Sequence, residues 1–439
     1  MSDQPWQGHA YPRDLALLVR QRWAEIDIGQ GALPDVTVLD RLLSVSYQAS
    51  LLHEEGRPIT FRLAFAEPEA FTAVGGPLAG VHRLLLSPFR QFDARELQGF
   101  APATAFHRSL IGVHREVDHE LRMWGLVHSG PLWLQAVRGG RQIEQAMPPV
   151  LTVSVTGPGR VLVSHGKIPL AALAGGTLVD AATDVFTAAW LASLFEDLHA
   201  AQWATFEAEL ERTPGSHAPL DPALGRQLHL HVLRRIVATI RAARHGGTLI
   251  FLSAPTVREQ LATGRALGLK YRFRDEEPRR RIFSLTVQIM IELARRQVRS
   301  ADAVAPAGWA QYEVTTDPRL GALDDALFEV AHLVAMLANV DGAVVMTDQL
   351  EVLGFGAEIS GALPEVASVD RSLDLEGTRS IAEDTDRVGT RHRSAYRLCQ
   401  HLEDALVIVV SQDGGVRFVR QREGRVTYFD QIATGPWEV

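Results

Sequence analysis

The chain has 439 residues, of which 46% are hydrophobic and 22% are charged, and its formal net charge is −8. This length exceeds what a single compact core usually holds, so two or more domains are expected. The acidic balance argues against broad binding to nucleic acid, and a single cysteine, Cys399, excludes a disulfide framework and a cysteine-built zinc site.

The N-terminus lacks the basic start and apolar core of a signal peptide. No uninterrupted apolar run approaches the roughly 20 residues that a membrane-spanning helix needs. We therefore expect a cytoplasmic protein that does not enter a membrane and does not bind nucleic acid.

The first half of the chain mixes helices and strands. Apolar residues recur at helical spacing over residues 15–26 and 36–52, and they alternate as in a strand from Ile59. From Val150, short apolar runs separated by "GPG" and "HGK" predict a β-meander. A long helix is predicted over Ala181–Glu211.

The segment "RTPGSHAPLDP", Arg212–Pro222, is the strongest candidate for a linker. It contains three prolines and one glycine, and it separates two helical patterns. The sequence therefore predicts a first domain over residues 1–215 and a second over residues 220–439.

The second half predicts a mixed α/β fold. Helical patterns cover residues 223–244, 279–297 and 323–338, and strand patterns include "GTLIFLSA", "GAVVMT", "EVLGFGAEI", "DALVIVVS" and "VRFVRQ". Alternation of these elements favours a mixed central sheet flanked by helices, preceded by a separate α/β domain.

The motif Gly389–Arg393, "GTRHR", concentrates positive charge where a helix is predicted to begin. The apolar residues that follow are spaced as in a helix, and Thr390 is the expected N-cap. The free N–H groups and the dipole of a first helical turn attract an anion, and the side chains of Arg391, His392 and Arg393 add donors suited to a polyphosphate.

A purely structural interpretation of this motif stays open. The basic first turn could pair with acidic residues of the preceding segment, such as Asp384 and Asp386. Basic residues at a helix N-terminus oppose the dipole, so their placement lowers stability unless an anion binds.

A second motif, Asp341-Gly342-Ala343, lies where a predicted helix meets a strand. Its carboxylate suits a divalent metal, and its two small residues allow a ligand to approach the backbone. Gly354 and Gly356 in the next strand leave further room, as for a flat base. Alone the motif is weak, because Asp-Gly is also common in turns.

Together, in this order, the two motifs resemble the hallmarks of the diadenylate cyclase domain, which joins two ATP molecules into cyclic di-AMP. The flanking stretches "DGAVVM", "LGFGAEI", "GTRHRSA" and "DALVIVVSQDGGV" agree as well, and the core of the resemblance covers residues 323–430. It implies a nucleotidyltransferase over residues 220–439 that acts as a homo-oligomer with catalytic faces opposed.

The resemblance also implies roles for individual residues. Asp341, Arg391, His392 and Arg393 would be catalytic, with Asp341 and Asp413 holding Mg²⁺ or Mn²⁺. The nucleotide would be bound by Gly342, Ala343, Gly354, Phe355, Gly356, Thr390 and Ser411.

One departure concerns the stretch after Ser411. Relatives often carry an acidic pair there, whereas this chain has Gln412 before Asp413. A degenerate cyclase that binds ATP or cyclic di-AMP as a receiver is therefore the alternative function. The long acidic segment 360–388 is expected to be a solvated loop, with gating of the site as the other interpretation.

The first half carries no motif that predicts chemistry. It resembles the sensor-like domains that precede some diadenylate cyclase domains, which implies that residues 1–215 bind an unidentified ligand or protein and regulate the cyclase.

Overall fold

The structure is a computed structural model, and it describes residues 9–25, 33–71, 81–106, 108–117, 119–129, 148–166, 168–180, 184–212, 215, 217–274, 277–297, 306–412 and 414–431. The chain divides into two units. The described residues up to 180 belong to the first unit, and those from 184 to 431 belong to the second.

This division lies near residue 183, whereas the sequence predicted it within Arg212–Pro222. The difference has a packing cause. Leu191, Leu198 and Phe206, on helices that precede the predicted linker, are buried in the hydrophobic core of the second unit.

The first unit is an α/β domain built on one sheet. Its helices are α1 (Pro12–Glu25), α2 (Val36–Ser50) and α3 (Ala94–Phe100), and its strands are β1 (His53–Glu54), β2 (Arg57–Pro58), β3 (Phe61–Phe65), β4 (His82–Gln91), β5 (Ser109–Arg115), β6 (Leu121–His128), β7 (Leu151–Gly157), β8 (Arg160–His165), β9 (Ile168–Ala174) and β10 (Thr177–Asp180). Eight strands form a sheet in the order β10-β9-β8-β7-β3-β5-β6-β4, in which β3 and β5 are parallel. The predicted meander after Val150 is β7–β10.

The core of the first unit lies between this sheet and the helices. Leu15 of α1 and Leu39 of α2 are fully buried in one cluster with Phe61 and Leu63 of β3. Asp35 caps α2 by accepting hydrogen bonds from two backbone N–H groups of its first turn, each 3.0 Å long.

The second unit is the larger mixed α/β domain. Its helices are α4 (Ala189–Leu194), α5 (Glu196–Arg212), α6 (Leu224–Ala242), α7 (Ala254–Thr263), α8 (Arg281–Gln297), α9 (Trp309–Val314), α10 (Pro318–Leu337) and α11 (Thr390–His401). Its strands are β11 (Gly247–Leu252), β12 (Leu267–Arg272), β13 (Ala343–Thr347), β14 (Val352–Ile359), β15 (Ser368–Ser372), β16 (Ser380–Asp384), β17 (Leu406–Val410), β18 (Val416–Arg422) and β19 (Arg425–Gln431).

These nine strands form one sheet in the order β12-β14-β13-β11-β17-β18-β19-β15-β16. Strand β11 lies in the middle and is buried along its whole length. Leu249 and Phe251 contribute to the core on one face, and Ile250 and Leu252 contribute to the core on the other. Helices therefore cover both faces, which confirms the predicted mixed sheet flanked by helices.

Two predicted elements differ from the structure. The long helix over Ala181–Glu211 is instead a 3₁₀ turn (Val185–Thr187) followed by α4 and α5, because Ala188 is extended and Asp184 caps the turn. The expected acidic loop contains the hairpin of β15 and β16, and β15 pairs with β19 to extend the sheet. None of the described helices is long and apolar enough to span a membrane.

A buried ion pair connects α6 to α10. The Arg235 guanidinium, with 0% of its side chain exposed, lies 2.8 Å from Asp324 Oδ1, and the Tyr312 hydroxyl donates to the same oxygen at 2.6 Å. Burial of a charge is tolerated only when it is paired.

Replacement of Asp324 by alanine should therefore leave a buried, uncompensated guanidinium. We expect Asp324→Ala to lower the free energy of unfolding of the second unit by about 3–5 kcal/mol in urea titrations. The neighbouring Asp325 is exposed, and Asp325→Ala should change stability by less than about 0.5 kcal/mol. Equal losses in the two variants would contradict the structural role of the pair.

Candidate functional site

The two motifs, Asp341-Gly342-Ala343 and Gly389–Arg393, lie at the same edge of the nine-stranded sheet. Strands β11 and β13 are parallel, with Leu249 opposite Val344, so both begin at this edge. Strand β17 is antiparallel to β11, with Val410 opposite Gly247, so it ends there. The loops before β11 and β13 and the turn after β17 are therefore neighbours.

Helix α11 begins at the same edge. Its N-cap is Gly389, not Thr390 as the sequence predicted, and a glycine has no side chain with which to cap the helix. Thr390 is the exposed first residue of the helix. The backbone N–H groups of this first turn therefore receive no hydrogen bond from the side chain of the N-cap residue itself.

Arg391 attaches this helix to the central strand. Its Nη1 donates a hydrogen bond of 3.2 Å to the carbonyl oxygen of His245, two residues before β11. His392 and Arg393 follow on the same turn, where Arg393 is exposed and His392 is half-buried. The three basic side chains therefore surround the positive end of the helix.

The alternative of internal pairing is not what the structure shows. Within the described residues, neither Asp384 nor Asp386 forms an ion pair with Arg391 or Arg393. Asp384 instead lies at the end of β16, where its backbone pairs with Ser368. The positive charge of this turn is thus not neutralised by the preceding acidic segment.

Gly246 makes the close approach possible. Its φ is +67°, and a Cβ built there would lie 2.5 Å from Arg391 Nη1 and 3.2 Å from the backbone nitrogen of Gln412. Any side chain at this position would displace the guanidinium or the turn after β17. Gly246 therefore brings Arg391 and that turn together.

Ser411 begins this turn. Its backbone N–H and its hydroxyl both donate to the Gly415 carbonyl oxygen, at 2.8 and 3.1 Å. Asp413, the expected second metal ligand, lies outside the described residues. The side chain of Arg241 lies alongside, with Nε 3.4 Å from the position of a Cβ built at Gly414.

The Asp341-Gly342-Ala343 motif lies at the start of β13. Asp341 is exposed, whereas Ala343 is buried and pairs with Ala357 of β14. Gly342 has φ +108°, and a Cβ there would lie 2.7 Å from the Ala357 carbonyl oxygen. Only glycine fits, and this conformation determines where the Asp341 carboxylate emerges.

Gly354 and Gly356 are packed against β12 and do not leave open space beside the strand. A Cβ at Gly354 would lie 2.1 Å from the Tyr271 carbonyl oxygen, and a Cβ at Gly356 would lie 3.2 Å from the Tyr271 ring. Phe355 is stacked on Tyr271, with ring centroids 4.7 Å apart. The exposed Tyr271 ring is the flat apolar surface on this side of the motif.

A metal ion fits this arrangement through Asp341. Within the described part of the chain, no group of three or more histidine, cysteine, aspartate or glutamate side chains is placed to hold one. Mg²⁺ commonly binds through one or two carboxylates, with substrate phosphates and water completing its shell. Asp341 offers one exposed carboxylate of this kind, at the same sheet edge as the first turn of α11.

Sequence reasoning missed Arg241, His245, Gly246 and Tyr271. The pair Gly246-Gly247 at the start of β11 was the available signal for a close approach. No signal in the sequence pointed to Arg241 or Tyr271, because strand order and side-chain packing alone bring each of them to the site.

Comparison with known protein families gives a match within the first unit. Residues 29–128 match a family model described as "Probable sensor domain DACNV". The described residues of this span run from α2 to β6, so a probable sensor domain lies in the first unit, as the sequence predicted. A comparison with curated proteins gave no match.

The fit around Gly342 can be tested by adding one methyl group. We expect Gly342→Ala to lower the free energy of unfolding of the second unit by about 1–3 kcal/mol, because the backbone is strained for alanine and the Cβ meets β14. Gly268 on β12 has no atom within 4 Å of a built Cβ, so Gly268→Ala is the matched control and should cause no loss. Unfolding in urea compares the two, and an unaffected Gly342→Ala variant would show that the described loop geometry is wrong.

Proposed function

We propose that the second unit is a diadenylate cyclase, which condenses two ATP molecules into cyclic di-AMP and two pyrophosphates. The observation that carries this proposal is the anchoring of Arg391 beside Gly246 at the start of a helix with a glycine N-cap, on the same sheet edge as the exposed Asp341. The two motifs of the sequence resemblance lie at one sheet edge, which supports their assignment to one site.

The helix N-terminus supplies the binding of phosphate. The first-turn N–H groups and the positive dipole end favour an anion, and guanidiniums bind phosphate oxygens with charge-assisted hydrogen bonds. Arg391 is held at the sheet while Arg393 is exposed, so one is already positioned and the other is free to follow the ligand. Such an arrangement suits a triphosphate better than a single phosphate.

Asp341 would supply the second requirement of the reaction, which is a ligand for the metal ion. Its carboxylate would hold Mg²⁺ or Mn²⁺ together with the phosphates, and the bound metal would neutralise charge on the α-phosphate. By the sequence resemblance it would also help activate a ribose hydroxyl of a nucleotide bound by the opposing copy. Positioning and charge neutralisation provide most of the catalysis in phosphoryl-type transfer.

The reaction requires a second copy of the chain. Each edge would hold one ATP, and the 3′-hydroxyl of each nucleotide attacks the α-phosphate of the other. Two new oxygen–phosphorus bonds form, the bonds between the α- and β-phosphates break, and two pyrophosphates leave. A homo-oligomer with these edges opposed is therefore the active species, and consumption of ATP fits a cytoplasmic location.

The first unit would regulate this reaction. Its match to a probable sensor domain supports that role, and the sequence resemblance implies that such domains precede some diadenylate cyclase domains. Its ligand or partner is not specified by the described residues.

A receiver that binds ATP or cyclic di-AMP without turnover is the second candidate. The turn after β17 favours it, because Gln412 replaces an acid common in relatives and the Ser411 hydroxyl already donates to Gly415. The exposed Asp341 favours the enzyme, since a receiver has no need of a metal-binding carboxylate there.

Incubation of the full-length protein with ATP and Mg²⁺ or Mn²⁺, followed by mass spectrometry, tests the proposal. We expect cyclic di-AMP and pyrophosphate from the native protein. Asp341→Asn should reduce turnover by about 100-fold or more while leaving ATP affinity nearly unchanged, because it removes charge without changing shape. Glu329→Gln, an exposed carboxylate on α10, is the control, and near-native rates in Asp341→Asn would contradict its role.

The contribution of Arg391 is tested by binding. Loss of one charge-assisted contact should weaken ATP binding by about 10- to 100-fold in calorimetry of Arg391→Ala. Arg397 lies farther along the same helix and pairs with Glu365 at 2.5 Å, so Arg397→Ala should leave affinity unchanged. Equal affinities for both variants would place the triphosphate elsewhere.

A further inference from the structure

We propose that Trp190 is a positioning residue that orders the Gly389–Arg393 turn through the β15–β16 hairpin. This inference rests on the proposed function, because it names how the same site is regulated. Trp190 lies on α4, in the segment that follows the first unit directly in the chain.

The segment before α4 is fixed to the last strand of the sheet. The backbone N–H of Val185 donates to Gln431 Oε1 at 2.7 Å, and Gln431 Nε2 donates to Asp184 at 3.1 Å. Asp184 also pairs with Arg234 of α6. Because Phe186 is fully buried against Phe418, this segment is part of the fold of the second unit.

Trp190 extends this attachment to the hairpin. Its indole N–H donates to the Leu375 carbonyl oxygen at 2.8 Å, and the backbone N–H of Ala189 donates to Glu376 Oε1 at the same distance. The indole also packs on Phe429 of β19, with ring centroids 4.8 Å apart. The tip of the hairpin, residues 373–379, is thus held by α4.

The tip is itself ordered by Asp374. Its carboxylate accepts from the backbone N–H groups of Glu376, Thr378 and Arg379 at 3.0, 2.9 and 2.7 Å, and from the Thr378 hydroxyl at 2.7 Å. These hydrogen bonds lower the pKa of Asp374 to about 2, although partial burial acts in the opposite direction. Because these hydrogen bonds make the tip rigid, a displacement of the tip would also move strands β15 and β16.

The base of the hairpin leads directly into the phosphate-binding turn. Thr385 follows β16 and bonds to Val366 and Ala367 across the base, at 2.5 and 3.1 Å. Val388 bonds back to Thr385 at 3.3 Å, and the next residue is the N-cap Gly389. The start of α11 is therefore determined in part by where the hairpin ends.

A second connection runs through side chains. Glu383 of β16 accepts a hydrogen bond of 2.5 Å from the Tyr428 hydroxyl, and the Tyr428 ring stacks on Tyr396 of α11, with centroids 6.3 Å apart. Arg417 donates to the Tyr396 hydroxyl at 3.2 Å. Tyr396 lies one helical turn after His392. The contacts among Glu383, Tyr428 and Tyr396 therefore connect the hairpin to the first turn of α11.

Trp190 itself lies on α4 and is joined to the phosphate clamp, Gly389–Arg393, through the hairpin and the side chains that support it. Trp190 would act on the phosphate clamp, Gly389–Arg393, only by fixing the hairpin. Since the connecting segment leaves the probable sensor domain, a change in that segment would alter the clamp and with it the affinity for ATP.

Two substitutions and one control separate positioning from general stability. Trp190→Ala removes both the hydrogen bond and the ring, whereas Trp190→Phe keeps a ring against Phe429. Trp203→Ala is the control, because Trp203 packs on the same core but its indole bonds to Glu207 within its own helix. All three are made in the full-length chain.

We expect Trp190→Ala to raise KM for ATP with Mg²⁺ about tenfold with kcat changed less than about twofold, and Trp190→Phe to restore most of the loss. Amide hydrogen exchange at residues 385–393 should accelerate in Trp190→Ala while exchange in α10 stays native. Trp203→Ala should change neither quantity.

Equal effects of Trp190→Ala and Trp203→Ala on KM and on exchange at residues 385–393 would overturn the inference. If the native protein makes no cyclic di-AMP, the proposed function fails. The hydrogen-exchange comparison then still decides whether Trp190 orders the turn.

Discussion

The hydrogen bond from Arg391 to the carbonyl oxygen of His245 fixes where the positive end of α11 meets the central sheet. It exists only because Gly246 has no side chain to occupy the space of the guanidinium. The same glycine lies against the turn after β17, so strand, helix and turn are brought to one point. The sheet topology then adds Asp341, because β13 starts at the same edge as β11. Charge of both signs is thus exposed at one edge, which supports the proposal that a nucleotide binds there with its metal ion.

The sheet edge that carries Asp341 and Arg391 is also supported by the strands beyond β19. The β15–β16 hairpin extends the sheet beyond β19, and its last strand continues into the turn that begins α11. The segment after the first unit is built into the same region through Trp190 and Asp184. A sensor domain followed by such a segment has a covalent route to the site that requires no contact between the two units.

The sequence predicted the fold class and both motifs, because these depend on local patterns and on a family resemblance. Hydrophobic periodicity gave most strands of the second unit, and the spacing of "GTRHR" before an apolar helix gave the start of α11. The sequence could not predict that Gly389 is the N-cap of α11, because capping depends on the backbone angles of one residue. The break at Ala188 and the hairpin within residues 360–388 were also missed, because both are stabilised by contacts distant in sequence. The expectation of open space beside Gly354 and Gly356 differs from the structure for the same reason, as Tyr271 occupies the space next to both glycines.

The claim on which this account depends is that ATP binds at the edge formed by Asp341, Gly246 and Arg391. A structure of the full-length protein with 3′-deoxy-ATP and Mn²⁺ tests it most directly, because this nucleotide lacks the attacking hydroxyl and cannot react. The account predicts density for a triphosphate at the first turn of α11 and for a metal ion beside Asp341, with the ribose facing a second copy. Nucleotide bound only in the first unit, or at another face of the second unit, would contradict it.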